Sequence, residues 1–171
     1  MGYRPSSASP ERAGQTTNAL RSMPQSLAQI YIHLVFSTKG RAGLIPAPTQ
    51  PRLHAYLAGS FNATGCAAVQ VGGMPDHIHV LFRLARTVTI SDAVKNAKVE
   101  SAKWMKDEGG VADFAWQAGY GAFSVSASHV GDVTRYIQNQ AEHHEVRTFQ
   151  DEFRRLLERY GVEYDEAYVW D

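Results

Sequence analysis

Two hydrophobic periods alternate along this chain, and their order predicts an architecture. Residues 29–38 are β-branched, aromatic and almost continuously apolar, which predicts a central strand. From Gln50 to about Ala63 the period lengthens. Leu53, Tyr56, Leu57 and Phe61 recur at helical spacing, and Gly65 follows as a C-terminal glycine. Residues 66–71 predict a second strand, residues 72–76 a Gly/Pro turn, and residues 77–84 a third strand, so these two form a hairpin. Thr89 or Ser91 can cap a long helix that runs to about Asp107 with Ile90, Ala93, Val94, Ala97, Trp104 and Met105 as its apolar stripe. Residues 122–126 predict the last strand, and residues 130–146 and 148–160 two further helices. The order β-α-β-β-α-β plus two helices predicts an α+β, ferredoxin-like (split βαβ) fold: an antiparallel sheet with helices on one face and additional C-terminal helices. Residues 1–27 have no apolar period and are rich in Ser, Pro, Thr, Gln and Arg. They predict a disordered tail ahead of a domain over 28–171.

Composition narrows the function classes. A hydrophobic fraction of 44% supports one packed core, and no apolar run reaches the ~20 residues that cross a bilayer. The N-terminus has no apolar secretory region, and Cys66 is the only cysteine, so the expectation is a cytoplasmic protein without a disulfide. Cys66 itself reads as a small buried strand residue. A myristoylation-like start and the Asn62-Ala63-Thr64 sequon are chance matches to short patterns. The net charge is zero but unevenly spread. Residues 28–110 carry nine Lys/Arg against five Asp/Glu, whereas residues 142–171 carry four against nine. A nucleic-acid surface is therefore expected on the N-terminal two-thirds, as a local groove rather than a broad duplex-binding face.

The chemistry concentrates in two places. His77 and His79 alternate with Ile78 on the third strand, so both imidazoles project to one face and offer half of a metal site. Tyr136 and Gln140 lie four residues apart on a predicted helix and share a face. Val130, Val133, Ile137 and Ala141 form the buried stripe of that helix. Tyr136, Gln140 and His143 fall on a neighbouring, more polar one. Gln140 can complete a metal shell through its amide oxygen, and so can His143 or His144. The sequence does not choose among them.

His77-Ile78-His79 followed by Tyr136-Ile137-Gln138-Asn139-Gln140 resembles the single-tyrosine HUH transposases of small insertion sequences that move as single-stranded DNA, including the REP-associated tyrosine transposases. The first strand, the Gly/aromatic stretch over 114–126 and the terminal stretch over 163–170 are similar to the same family, so the likeness covers about residues 28–171. The resemblance implies Tyr136 as nucleophile and His77, His79 and Gln140 as ligands of Mg2+ or Mn2+. It also implies cleavage and rejoining of DNA through a 5′-phosphotyrosine, on single-stranded DNA with hairpin ends. It further implies a homodimer whose sites are shared between subunits. Two imidazoles suit manganese better than magnesium.

Lys95, Lys98, Lys103 and Lys106 project together from the long helix, away from its apolar stripe, and with Lys39, Arg41, Arg83 and Arg86 are candidates for a DNA phosphate groove. Trp116, Tyr120 and Phe123 can stack on unpaired bases or simply pack the core. Three rivals compete. An RRM-like binding module shares the element order, and Gly119-Tyr120-Gly121-Ala122-Phe123 faintly echoes its motif, but on the fourth strand rather than the third. A domesticated relative could hold hairpin DNA without transposing. A zinc hydrolase could use His77 and His79 with His143 or Glu142, which leaves Tyr136 without a task.

Overall fold

The computed structural model describes residues 27–144 and 148–170, leaving aside the side chains of residues 143 and 144. All of the expected tail except Leu27 lies outside the described residues, as do the side chains of His143 and His144. The elements are β1 (Tyr31–Ser37), α1 (Gln50–Ala63), β2 (Ala67–Met74), β3 (His77–Arg83), α2 (Ile90–Asp107), β4 (Gly121–Val125), α3 (Val130–Gln138), α4 (Gln140–His144) and α5 (Phe149–Arg159). The strands pair in the order β2-β3-β1-β4, each pair antiparallel, which is the split βαβ arrangement.

Period-two alternation sorts the strand side chains. Ile32, Leu34 and Phe36 of β1 join Ile78, Val80 and Phe82 of β3 in one core with Leu53, Leu57 and Phe61 of α1 and Ala93, Val94, Ala97 and Met105 of α2. The intervening residues face the other way. Val35 and Phe123 pack on Phe149, Phe153 and Leu157 of α5, while Leu81 and Val125 pack on Ile137 of α3. Helices therefore cover both faces, not one. The two C-terminal helices exist because the second face is also apolar and must be covered.

Three local differences from the sequence reading matter. β2 runs through Gly72 and Gly73 to Met74, and the hairpin turn shrinks to Pro75 and Asp76. A Cβ on Gly72 would stand 2.6 Å from the Ile137 carbonyl oxygen, so this glycine serves close packing of α3 rather than a turn. The helix expected over 130–146 breaks at Asn139 (φ −99°, ψ 25°). The break turns Gln140 inward, 2% exposed, and leaves Ala141 exposed instead of in the buried stripe. Thr89 caps α2 by accepting from the Asp92 amide at 3.1 Å, and Gly65 takes φ +82° after α1, both as the sequence predicts.

Candidate active site

The face of the sheet opposite α1 and α2 carries the chemistry. His77 and His79 lie on β3 with fully buried side chains. Each is oriented from behind. Asp76 Oδ1 accepts from His77 Nδ1 at 2.7 Å, which leaves His77 Nε2 facing forward with its lone pair. His79 Nδ1 meets His33 Nε2 at 3.0 Å, and the rings stack with centroids 5.2 Å apart. His33, 3% exposed on β1, is held neutral because burial pulls its pKa down to about 4. A neutral His33 can accept the Nδ1 proton of His79, and in that tautomer His79 turns its Nε2 lone pair forward. Burial pushes the Asp76 carboxyl up, but its hydrogen bond to His77, a backbone hydrogen bond and the charge of Arg41 help to offset this, so its pKa lies below the usual range. The Phe149 ring stacks on His77 at 4.3 Å and fixes its plane.

Two further groups meet the histidines. Gln140 presents Oε1 3.4 Å from His77 Nε2. Glu152 of α5 presents Oε1 3.4 Å from His79 Nε2, and the Gln140 amide nitrogen donates to that same oxygen at 3.1 Å. Ligand atoms of His77, His79 and Glu152 all lie within 4.8 Å of one another. Burial, reinforced by the charge of Asp76, pushes the Glu152 carboxyl up to about 8. Two imidazole nitrogens, an amide oxygen and a carboxyl group thus lie together, a donor set that suits a divalent cation.

Tyr136 stands beside this cluster in the same chain. Its ring meets the His79 ring edge-on at 5.8 Å and the His33 ring at 6.1 Å. Ile137, 1% exposed, anchors α3 on β2 beneath it. The half-buried Tyr136 ring lines a cleft of about 660 Å³ whose walls include His33, His129, Glu152, Arg155, Arg159 and Tyr160. The histidines, Gln140 and Tyr136 are therefore brought together as expected, and within a single chain.

The expected phosphate groove is not one surface. Lys39 and Arg41 follow β1 in a 3-10 turn at the His77 end of the sheet, where the Thr38 amide donates to the Asp76 carbonyl. Arg83 closes β3 at the opposite end, about 20 Å away at 3.3 Å per residue, with Arg86 in the loop beyond. Lys95 and Lys98 ride on α2, on the far side of the sheet from the histidines. Lys98 is engaged within the protein. Its ammonium donates to the carbonyls of Gln117, Ala118 and Gly119 at 2.6–3.1 Å and lies over the Phe36 ring, so it ties down a loop. Burial lowers its pKa to about 8. Trp116 and Phe123 are core residues, 8% and 2% exposed, which leaves Tyr120 as the solvent-facing aromatic of that trio.

Sequence reasoning missed His33, Glu152, Arg155 and Arg159. His33 was recoverable from register. Pairing of Val35 with His79 and of His33 with Leu81 makes His33 and His79 diagonal neighbours on one face. The other three sit in the acid-rich C-terminal segment, whose net negative charge pointed away from a DNA-binding role.

Comparison with known proteins agrees with this fold. No curated protein sequence matches the chain. Among solved structures, a protein from Deinococcus radiodurans R1 described as a transposase is 24% identical. It covers 71% of this chain and 98% of its own, with a TM-score of 0.54. A REP-associated tyrosine transposase bound to a REP hairpin is 14% identical over 71% of this chain and 74% of its own, with a TM-score of 0.51. Both likenesses concern the fold. Residues 26–140 match the family described as IS200-like transposases, a span that includes the histidine pair, Tyr136 and Gln140, and the chain belongs to that family.

Proposed function

We propose that this transposase is a metal-dependent single-stranded DNA endonuclease and strand transferase that works through a 5′-phosphotyrosine. The observation that carries the reading is the placement of the Tyr136 ring against His79, lining a cleft, in one chain. His77, His79 and Gln140 would hold Mg2+ or Mn2+. Such an ion supplies neutralisation of charge on the scissile phosphate and helps to orient it. Asp76 and His33 keep the two Nε2 lone pairs aimed forward. The Tyr136 oxygen attacks phosphorus, the bond to the 3′ oxygen breaks, and the phenolic proton is lost as the 3′-hydroxyl gains one. A phenol of pKa ~10 needs such help at neutral pH. No water is consumed, so a second 3′-hydroxyl can reverse the step and rejoin strands.

Arg155 and Arg159 line the same cleft and would take phosphates flanking the scissile one. The hairpin bound by the REP-associated neighbour supports hairpin-bearing single strands as the substrate class. All four chemical residues come together in one chain, which supports action in cis.

The test is covalent capture. Wild-type protein incubated with a hairpin-bearing oligonucleotide and Mn2+ forms a denaturant-resistant adduct. Tyr136→Phe forms none while retaining hairpin binding, and His77→Ala loses cleavage in both ions. An adduct with Tyr136→Phe refutes the nucleophile. A hairpin complex with no cleavage by wild type in any divalent ion favours a domesticated binder.

A further inference from the structure

Glu152 is the unexplained group of this site. It sits between Phe149 and Phe153 on α5, whose buried face is pinned to Val35 and Phe123 and whose first turn is capped by Thr148. The packing leaves its side chain only 10% exposed and aims it at His79 and Gln140. Burying a carboxyl group is costly, and Asp76, already engaged with His77, adds a second negative group nearby.

The spacing explains its presence. Ligand atoms bound about 2.1 Å from one ion at angles of roughly 90–110° lie about 3.0–3.4 Å apart. His77 Nε2 to Gln140 Oε1 and His79 Nε2 to Glu152 Oε1 are both 3.4 Å. On the reading of His77, His79 and Gln140 as a metal site, we infer that Glu152 is an additional, anionic ligand, making the donor set two imidazoles, one amide and one carboxylate.

The consequence is a site that loads before DNA arrives. Two imidazoles and an amide are neutral, and a dication on them alone keeps its full charge in a buried place. A carboxylate cancels half of it. The combination of two nitrogen donors and a carboxylate also favours Mn2+ over Mg2+, which prefers oxygen ligands and retains its waters.

The experiment uses the full chain without DNA. Mn2+ is titrated by calorimetry and by loss of the free-ion electron paramagnetic resonance signal, and the melting temperature is followed with and without Mn2+. Glu152→Gln keeps the shape and removes the charge, so its ion-free form folds at least as stably as wild type. Mn2+ binding is expected to weaken tenfold or more in Glu152→Gln, with the Mn2+-induced rise in melting temperature lost, and to disappear in His77→Ala. If Glu152→Gln binds within twofold of wild type while His77→Ala fails, Glu152 is not a ligand and the histidine site stands. If wild type does not bind Mn2+ without DNA, the preloaded site is refuted. If His77→Ala binds as wild type does, the underlying metal reading falls as well.

Discussion

Gly72→Ala tests how tightly the tyrosine helix is seated. Gly72 lies in β2 opposite His79, and α3 crosses directly above it. The new Cβ would stand 2.6 Å from the Ile137 carbonyl oxygen and 2.8 Å from Ile137 Cγ2. Ordinary contact begins near 3.4 Å, so α3 must retreat by about 0.8 Å. The backbone oxygen decides the matter, because trimming Ile137 relieves the methyl clash alone. Overpacking of this kind costs about 1–3 kcal/mol. The displacement also moves Tyr136, one residue before Ile137, away from the His79 ring it now meets at 5.8 Å. A misplacement near 1 Å can slow a positioned reaction about 10²-fold. Urea unfolding should therefore show a lower midpoint at unchanged slope. Adduct formation, measured well below the melting temperature, should fall by about one to two orders of magnitude. The double variant Gly72→Ala/Ile137→Ala should not recover it. A stability within about 0.5 kcal/mol of wild type together with an adduct rate within about twofold refutes the seating argument.

Three other outcomes follow from the same geometry. His33 is buried neutral, with a folded pKa of about 4 against 6.5 unfolded. At this residue the unfolded chain thus binds more protons between those values, so the His33 contribution to stability should drop by up to about 3 kcal/mol as pH falls from 6.5 to 4, against the opposite contribution of Glu152, whose raised pKa favours the fold as pH falls. The difference between thermal melts of wild type and His33→Phe across this range checks it, and His33→Phe should also weaken Mn2+ affinity about 10–100-fold because His79 is no longer supported. Lys98→Met should destabilise by about 1–3 kcal/mol and speed amide exchange in residues 118–121, with little change in hairpin affinity. An affinity loss matching that of an Arg155 variant would return Lys98 to the DNA surface. Arg155→Glu/Arg159→Glu should weaken single-strand binding and shrink the slope of log K against log salt by about 0.7 for each phosphate that is no longer neutralised. An unchanged slope removes these arginines from the DNA path.

Most elements were legible from their apolar patterns, and α2 and α5 have capping threonines and glycine stops that match their ends. What failed were places where one residue type serves two purposes. Gly72, Gly73, Pro75 and Asp76 have turn composition, but Gly72 is there so that α3 can approach β2. The apolar stripe through Ala141 assumed one straight helix, and the break at Asn139 reset the phase so that Gln140 points inward. Glu152 carried no local signal, since an acid in the first turn of a helix is ordinary macrodipole chemistry. Only the packing of Phe149 and Phe153 reveals that this one is turned toward the histidines.

The sheet acts as a partition between folding and chemistry. On β1 and β3, one set of alternating positions is hydrocarbon packed on α1 and α2, and the other set includes His33, His77 and His79. A slip of one residue would drive the imidazoles into the main core and turn Ile78 and Val80 outward, so the hydrophobic pattern itself fixes the register of the site. The two-residue turn at Pro75 and Asp76 enforces the same register from the other side by pairing Met74 with His77. Asp76 then serves twice, because the residue that closes the turn also orients the first imidazole. The tyrosine and the buried glutamate arrive on helices that cover only the second face. Their helices can differ in sequence or position without disturbing the main core, whereas the histidine pair cannot move without unfolding it.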